Sequence, residues 1–546
     1  MNVLLTTLDA ARLQAFTEAG FWRGQTVYDS VVDHARDTPD KIAIRERVRT
    51  ATYSELVDAA DRLSAAWEAQ GLAPGERVAV WLPSRIEVAV ATLACSRSGL
   101  VICPSLHRDH TVADIAELVQ QMRATAIVAQ TGYGADARGD EIVAALAHCD
   151  RLKSVRFLAP SDTEAVFGDV PAGEARPPKQ DPNSVVYLAF TSGTTGLPKG
   201  VMHSDNTLLA PTRAMAKDWA LDRGSCVYSL SPLSHNLGFG AMLLAMSVGA
   251  EFVIHDLPRG ASLAERLFET RANFAYGVPT HAIDLLGELR DTPGRKLPDL
   301  RGFRISGAAV PPVVAQGLLD VGIVPQSGYG MTEAGSTHYT LPDTEPELIV
   351  NSVGRACEAY EVRIFDREDT ERILPAGEVG QIGGRGASLM LGYFDEQEAT
   401  ERSFNAAGWF LTGDLGWMDE SGFLRITGRK KDVIIRGGHN IFPAKIENLA
   451  LRHPSVAKAA AVPVPDERLG EKVCMIVQPV MGRHLNGPEL LVHLAESGLS
   501  KYDMPEYFAT FESLPLTPSG KILKSALLDH IREGRIAPEP VRFTQQ

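Results

Sequence analysis

A glycine-rich segment that follows an apolar run restricts the fold of this chain more than any other feature. Residues 185–190 have the length and content of a buried strand, and they lead directly into Thr191-Ser192-Gly193-Thr194-Thr195-Gly196-Leu197-Pro198-Lys199-Gly200. Glycines let backbone N–H groups crowd around an anion, hydroxyls add donors, and Lys199 adds a point charge suited to phosphate. A flexible surface loop is the alternative, but it needs neither the strand nor the lysine. The segment therefore predicts a phosphate-binding loop.

Strand-like and helix-like segments alternate through the N-terminal part of the chain. A capping box at Thr52 and Glu55 predicts a helix start, and a strand at 77–83, a helix at 86–97 and an apolar run at 100–103 follow. Apolar runs at 185–190, 252–254 and 303–305 continue the pattern. This rhythm predicts an α/β fold of doubly wound parallel sheets with helices on both faces. Ligands bind at the carboxyl ends of such strands, where the glycine-rich segment lies.

The composition changes after Ile426, where Gly428-Arg429-Lys430-Lys431-Asp432 is dense in charge and polar. Such a stretch is typical of a connection between domains. We predict a large domain at residues 1–428, a hinge at 429–433 and a small α+β domain at 434–546. The total of 546 residues is enough for two cores.

Charge and cysteine usage exclude several classes of protein. A net charge of −14 argues against a general nucleic-acid binder, which needs a basic face. The six cysteines lack C-x-x-C spacing, which favours buried thiols in a reducing compartment over disulfides or a zinc site. The N-terminus lacks the basic region of a signal peptide, and no apolar run is long enough to span a bilayer. We therefore expect a cytoplasmic protein without a membrane partner.

The glycine-rich segment lacks the spacing of a P-loop and of a dinucleotide fingerprint. It resembles the signature of the acyl-adenylate-forming (ANL) superfamily, which contains AMP-dependent acyl-CoA ligases, adenylation domains of peptide synthetases and luciferases. Four further segments match family motifs in the family's order, at 329–333, 412–414, 436–441 and 515–521. The resemblance covers about residues 20 to 530 and implies an adenylating N-terminal domain with a small, mobile C-terminal domain.

The resemblance also implies which residues bind the nucleotide. They are Thr191, Ser192, Gly193, Thr194, Thr195, Gly196, Lys199, Gly307, Ala308, Ala309, Gly328, Tyr329, Gly330, Met331, Thr332, Asp414 and Arg429. In this assignment Thr332 bonds the α-phosphate, Asp414 accepts the ribose hydroxyls, and Glu333 holds Mg²⁺ together with Thr195. A carboxylate beside phosphate oxygens suits Mg²⁺. Taken alone, 329–333 could equally be a helix start capped by Thr332.

Three further sets of residues have implied roles in the acid and thiol steps. Lys521 matches the mobile catalytic lysine of the family, although a lone lysine near a C-terminus is most often a solvated side chain. The acid pocket comprises His235, Asn236, Phe239, Gly240, Ser306, Gly307 and Gly330, with His235 near the carboxylate. His235 could instead be a histidine satisfied in a packed turn. Lys431 takes the hinge position, and Gly437 and Gly438 line the thiol tunnel.

The implied reaction has two halves. A carboxylic acid and Mg·ATP give an acyl-adenylate and pyrophosphate, and CoA then takes the acyl group and releases AMP. His235-Asn236 resembles the pair of the aryl-acid activating enzymes, whereas Ser192–Gly196 is similar to the loop of CoA ligases. The segments 237–240, 501–505 and 517–524 resemble CoA ligases for compact ring acids, the cyclohexanecarboxylate-CoA ligases in particular. We therefore expect ATP, Mg²⁺ and CoA as cofactors and a cyclic or short acid as substrate.

Three alternatives stay open on the sequence alone. The protein could load a carrier protein on another chain instead of CoA, it could be a luciferase-like oxygenase, or it could be a degenerate homologue. The motif residues Thr332, Glu333, Asp414, Arg429 and Lys521 are intact, which argues against the last of these. A homodimer is possible, since an interface would be an unmarked surface patch.

Overall fold

The structure is a computed structural model of the 546-residue chain. It describes residues 10–136, 141–160, 166–171, 173, 176–179, 181–191, 198–258, 260–292, 294–437, 439–517 and 522–543.

The described residues form sixteen α-helices, one 3₁₀ helix and twenty-six strands. The α-helices are α1 Ala10–Glu18, α2 Val27–Asp37, α3 Tyr53–Ala69, α4 Ile86–Ser98, α5 Val112–Gln121, α6 Glu141–Leu146, α7 Asp205–Asp218, α8 Asn236–Val248, α9 Leu263–Glu269, α10 Pro279–Asp291, α11 Pro312–Asp320, α12 Pro346–Asn351, α13 Gln397–Arg402, α14 Pro443–Ala450, α15 Gly487–Glu496 and α16 Lys524–Arg532, and the 3₁₀ helix is Lys430–Asp432. The strands are β1 Ile42–Arg45, β2 Thr50–Thr52, β3 Arg77–Trp81, β4 Val101–Cys103, β5 Ala124–Gln130, β6 Ser154–Leu158, β7 Val185–Thr191, β8 Lys199–Ser204, β9 Cys226–Ser229, β10 Glu251–Ile254, β11 Phe274–Gly277, β12 Gly302–Ile305, β13 Val324–Met331, β14 Gly335–Tyr339, β15 Arg355–Ala356, β16 Tyr360–Phe365, β17 Gly380–Gly386, β18 Gly392–Tyr393, β19 Phe410–Met418, β20 Leu424–Arg429, β21 Ile434–Arg436, β22 His439–Ile441, β23 Val456–Asp466, β24 Gly470–Pro479, β25 Tyr507–Thr510 and β26 Glu539–Pro540.

The strands of the described residues lie in four sheets. A nine-stranded sheet has the order β15-β14-β13-β12-β11-β9-β10-β1-β2, and a seven-stranded sheet has the order β18-β8-β7-β4-β3-β5-β6. Neighbours from β13 to β1 in the first sheet and from β7 to β6 in the second pair in parallel. These two sheets confirm the predicted doubly wound α/β class.

The local predictions for the N-terminal part agree with the observed elements. The Thr52 hydroxyl accepts from the Glu55 N–H and the Glu55 carboxylate from the Thr52 N–H, so both halves of the capping box are present at the start of α3. The predicted strand at 77–83 ends earlier, at Trp81, and the predicted helix at 86–97 ends at Ser98. The sequence rhythm did not predict the four-stranded antiparallel sheet β16-β17-β19-β20, in which β17 is rich in glycine.

Helices α7 and α8, which line the candidate site, lie between the two large sheets. One continuous buried core includes Leu209 and Met215 of α7, Phe239 and Leu243 of α8, and Tyr187 of β7. Helix α8 has buried apolar residues on all sides, which is expected for a helix enclosed by other elements rather than lying on the surface.

The fourth sheet belongs to the C-terminal part of the chain. Its strands β21 to β26 all follow the 3₁₀ helix Lys430–Asp432, and β24 pairs with β21, β23 and β25. It has its own apolar core around Ile446, Met475 and Leu494. The predicted hinge at 429–433 coincides with this change of sheet, but movement about it stays a prediction.

All six cysteines are buried and free, as the sequence indicated. Among the described residues, no helix has both the length and the apolar character needed to cross a membrane.

Candidate active site

The two ends of the glycine-rich segment lie side by side. Strands β7 and β8 are antiparallel, and Thr191 pairs directly with Lys199. The two strands are also closely packed at Gly200, where a Cβ atom would lie 2.8 Å from Leu188 Cδ1. The loop residues between the two strands, Ser192, Gly193, Thr194, Thr195 and Gly196, lie outside the described residues. Their predicted contacts with phosphate and metal therefore stay predictions.

A tyrosine that the sequence analysis did not single out joins the loop to the predicted metal ligand. The Tyr393 hydroxyl donates to Glu333 Oε1 over 2.9 Å, and Lys199 Nζ lies 5.1 Å from the centroid of the Tyr393 ring. Tyr393 stands next to the loop because its strand β18 pairs with β8 at Val201. The geometry thus brings Lys199 and Glu333 together around one ring, although 134 positions separate them in the sequence.

The environment of Glu333 favours a cationic neighbour. Burial raises the pKa of this carboxyl, whereas the hydrogen bond from Tyr393 and the charge of Arg429 act to lower it. The backbone is fixed as well, since Met390 N donates to the Glu333 carbonyl over 2.7 Å. A divalent cation beside a buried carboxylate would stabilise its ionised form.

A buried histidine holds the backbone of Thr332. His203 Nε2 lies 2.7 Å from the Thr332 carbonyl oxygen, and its Nδ1 lies 3.0 Å from the Thr207 hydroxyl. Burial lowers the pKa of His203 to about 4, so the ring is neutral at physiological pH and donates from Nε2. Residues 329–333 are the end of β13 and the turn into β14, so the alternative of a helix start at Thr332 is wrong.

The predicted ribose ligand, Asp414, contacts two side chains. Asp414 Oδ2 accepts from the Tyr329 hydroxyl over 2.7 Å, and Asp414 Oδ1 lies 3.2 Å from Arg429 Nε. Asp414 is buried, whereas Arg429 is exposed. A carboxylate has about four acceptor positions, so capacity for a diol remains after these two contacts.

Strand β13 comes very close to its neighbours where the predicted nucleotide residues lie. A Cβ atom on Gly330 would lie 2.2 Å from the Gly335 carbonyl oxygen, and one on Gly328 would lie 2.5 Å from Arg304 Nη1. Glycine is therefore required at Gly330, where the obstacle is backbone, whereas a Cβ at Gly328 would displace the Arg304 guanidinium. Gly307, with a φ of +91°, follows β12, and Ala308 and Ala309 after it are exposed.

A small cavity between α7 and α8 coincides with part of the predicted acid pocket. Three predicted residues, Asn236, Phe239 and Gly240, line it. The other lining residues are His203, Thr207, Leu208, Pro211, Thr212, Met215, Leu243, Leu244, Tyr276, Gly335 and Ser336. None of these side chains is that of a lysine, arginine, aspartate or glutamate, so the cavity suits an uncharged group.

The remaining acid-pocket residues do not line the cavity: His235 caps helix α8, Ser306 and Gly307 follow β12, and Gly330 lies near the end of β13. His235 is the N-cap of α8, where its Nδ1 accepts from Leu237 N over 3.3 Å. Asn236 Nδ2 approaches the Met331 carbonyl oxygen at 3.5 Å. Ser306 is buried directly after β12. The role of His235 near a carboxylate is not tested by this arrangement and stays a prediction.

The predicted catalytic lysine and one tunnel glycine cannot be placed. Lys521 and Gly438 lie outside the described residues. Gly437 follows β21 with a φ of +57° and is exposed, and β21 and β22 form an antiparallel pair around it. Lys431 is exposed within the 3₁₀ helix.

Sequence reasoning missed Tyr393, His203, Met215 and Tyr276. Each acts through a contact with a residue distant in sequence, and none stands in a recognisable local pattern. An aromatic residue near a glycine, such as Tyr393 after Gly392, carries no signal on its own.

Comparison with known proteins agrees with this geometry. The family model described as AMP-binding enzyme matches residues 31–394, and that of the AMP-binding enzyme C-terminal domain matches residues 445–521. The medium-chain fatty-acid–CoA ligase of Escherichia coli (strain K12) is 32% identical over 536 residues, which cover 96% of this chain and 94% of that protein. A salicylyl-CoA synthase / salicylate adenylyltransferase of a Streptomyces species is 30% identical over 535 residues, 95% of this chain and 96% of that protein.

Solved structures show the same architecture. ATP-bound MatB from Rhodopseudomonas palustris superimposes with a TM-score of 0.82 at 26% identity, over 93% of this chain and 99% of its own. The match spans both the adenylating part and the C-terminal part, so the resemblance drawn from the sequence motifs is confirmed. This chain belongs to the AMP-binding enzyme family, within the acyl-adenylate-forming superfamily.

Proposed function

We propose that this protein is an AMP-forming ligase that activates a compact, uncharged cyclic carboxylic acid and transfers it to coenzyme A. The observation that carries the proposal is the convergence of Lys199, Glu333 and Tyr393 beside the cavity lined by α7 and α8. A phosphate-binding loop, a metal-binding carboxylate and an apolar cavity are the three parts that acid adenylation requires.

The residues around Glu333 fit Mg²⁺ bound with substrate phosphates. Among the described residues, no group of three or more His, Cys, Asp or Glu side chains could hold a metal ion. Mg²⁺ characteristically uses one or two carboxylates together with phosphates and water, and the single carboxylate of Glu333 matches that pattern. When bound, the ion supplies charge stabilisation at the phosphate oxygens.

In the first half-reaction a carboxylate oxygen of the acid bonds to the α-phosphorus of ATP, and the bond from that phosphorus to pyrophosphate breaks. Thr332 is positioned by His203 to donate its hydroxyl to the α-phosphate, and Asp414 accepts the ribose hydroxyls. Lys199 and the loop before it hold the departing pyrophosphate, and Lys521 bridges the carboxylate and the α-phosphate. The chain thus contributes position and electrostatic stabilisation, not a nucleophile.

In the second half-reaction the sulfur of CoA bonds to the acyl carbon, the bond from that carbon to the bridging oxygen breaks, AMP leaves with the bridging oxygen, and the thiol proton passes to solvent. The hairpin around Gly437 lines the path of the thiol after rotation about Lys431. Carboxylate oxygen is a poor leaving group, whereas AMP is a good one, which is why the adenylate precedes the thioester.

The lining of the cavity supports an uncharged acyl group. Its walls combine apolar side chains with hydroxyls and the amide of Asn236, and they lack a cation that would pair with a second carboxylate. Phe239 is held in place by the Tyr187 ring, with the two centroids 4.7 Å apart. A fixed aromatic wall favours a flat or compact ring over a long flexible chain.

Acid-dependent exchange of pyrophosphate into ATP tests the proposal. The panel would compare benzoate, salicylate, cyclohexanecarboxylate, decanoate and malonate, with and without CoA. We expect exchange with ring acids and formation of their CoA thioesters without a partner protein. Preference for malonate or decanoate would refute the substrate class, and adenylation without thioester would indicate a carrier protein instead of CoA.

A further inference from the structure

A second cavity, of about 420 Å³, lies away from the site described above. Its walls come from the segment before α2, from the second half of α7 with the turn that follows, and from the C-terminal end of α8. Thr212 and Met215 of α7 line the acid cavity, whereas Arg213, Ala216 and Lys217 line this one. Along α8, Leu243 and Leu244 line the acid cavity and Ser247 and Val248 line this one, so the two cavities share helices but no lining residue.

The second cavity has a cationic lining. Arg23, Arg213 and Lys217 contribute three positive charges, and Asp222 is the one acidic side chain among its described lining residues. Asp222 is already engaged, since its Oδ1 accepts from Gly224 N over 2.9 Å within its own turn. Lys217 pairs with Glu358 at the exposed rim. Arg213 is therefore the shielded cation among these lining residues, whereas Arg23 is exposed to solvent.

Arg213 is the unusual member of this group. Its Nη1 and Nη2 atoms are shielded from solvent and have no hydrogen-bond partner among the described residues. Burial, reinforced by the charge of Arg23, lowers the pKa of the Arg213 guanidinium to about 10. Asp205 is the acidic residue whose charge acts on Arg213, but it already accepts hydrogen bonds from Val27 N, the Ser96 hydroxyl and Lys179 Nζ. A shielded guanidinium without a protein acceptor is costly, so an anion in the cavity that reached Arg213 would offset that cost.

We propose that this second cavity binds a phosphate-bearing anion through Arg23 and Arg213. Guanidinium groups bind phosphate oxygens in a planar, two-pronged geometry and are weakly hydrated, so two of them beside a cavity match a doubly charged oxyanion. The Lys217 ammonium adds a third cation at the wall, whereas the Ser30 and Ser247 hydroxyls already donate to the Thr26 and Leu244 carbonyls of their own helices. This site is independent of the proposed acid substrate and of the nucleotide loop.

Calorimetric titration of the full chain with inorganic pyrophosphate tests the proposal. The nucleotide site and the second cavity should give two binding events in the unmodified chain. Arg213→Gln should abolish one of them, and Arg23→Gln should weaken the same one by about tenfold, as expected for loss of one charged contact. Lys199→Gln should weaken only the other. Arg402→Gln, which removes an exposed arginine on α13, is the matched control and should keep both.

Two results of the pyrophosphate titrations would overturn the proposal. One is a single binding event in the unmodified chain, and the other is an unchanged pair of events in Arg23→Gln. Because Arg23 is exposed, its replacement leaves the fold intact even if Arg213→Gln does not fold. Titration with citrate tests whether the second cavity prefers phosphate to other anions, since equal binding of a tricarboxylate would refute a phosphate site. Pyrophosphate–ATP exchange measured on the same variants keeps this outcome distinct from failure of the proposed ligase activity.

Discussion

Replacing Tyr393 with phenylalanine isolates the contact on which the geometry of the proposed metal site depends. The change removes the hydroxyl that donates to Glu333 Oε1 over 2.9 Å and keeps the ring that faces Lys199 Nζ at 5.1 Å. A leucine at the same position would remove both contacts. Tyr393→Phe therefore affects Glu333 while leaving the phosphate-binding lysine in place.

The expected size of the effect follows from the charge of the acceptor. A hydrogen bond to an ionised group contributes about 1.5–3 kcal/mol, and about 1.4 kcal/mol corresponds to tenfold in an equilibrium constant. Loss of the donor also lets burial raise the pKa of Glu333 further, since the hydrogen bond acts against that shift. We expect the Mg²⁺ concentration for half-maximal activity to rise by about tenfold to a hundredfold.

Pyrophosphate–ATP exchange at saturating acid, measured over a range of Mg²⁺ concentrations, gives this quantity directly. Tyr329→Phe is the matched control, because it removes a hydroxyl from Asp414 instead and should raise the KM for ATP without changing the Mg²⁺ requirement. Melting temperature should change little in either variant. A Tyr393→Phe enzyme with an unaltered Mg²⁺ dependence would refute the assignment of Glu333 as the metal ligand.

Three further predictions concern the hinge, two glycines and the buried carboxylate. Lys431→Pro should spare adenylation and impair thioester formation, because proline fixes φ at the hinge; equal losses in the two half-reactions, assayed separately, would contradict the hinge assignment. Gly330→Ala should destabilise the fold by about 1–3 kcal/mol in denaturant unfolding, because its Cβ meets the Gly335 carbonyl at 2.2 Å. Gly240→Ala, whose Cβ meets no atom within 4 Å, should instead leave stability unchanged or higher and raise the KM for ring acids. Burial raises the pKa of Glu333 in the folded state above its ordinary value of 4.5, so the folded state holds this proton more tightly than the unfolded state. The contribution of Glu333 to stability is therefore present below pH 4.5 and falls as the pH rises through the folded-state pKa. Glu333→Gln should therefore be no less stable than the unmodified chain at pH 7 yet lose exchange activity; a large drop in its unfolding free energy would refute the sign.

The sequence predicted the parts of the fold that depend on local pattern. The capping box at Thr52, the strand before the glycine-rich segment and the α/β class all follow from periodicity and turn chemistry, and all are observed. In the antiparallel sheet β16-β17-β19-β20, which was missed, four of the seven residues of β17 are glycine, and glycine weakens a strand signal.

The candidate site was predictable only where motifs carry it. Thr332, Glu333 and Asp414 stand in short recognisable segments, and the structure places Glu333 near the loop end at Lys199. The residues that position these side chains stand in no recognisable segment. His203 and Tyr393 act through contacts made in three dimensions by strand pairing between β7, β8 and β18, which no local pattern in the sequence reveals.

The central claim is that this chain alone adenylates a ring acid and then joins it to CoA. The decisive measurement is mass-spectrometric detection of thioester and AMP from purified protein, Mg·ATP, CoA and either cyclohexanecarboxylate or benzoate. We expect stoichiometric AMP and acyl-CoA, with pyrophosphate–ATP exchange when CoA is omitted. Production of ADP in place of AMP, or no thioester with any ring acid that supports exchange, would contradict the account.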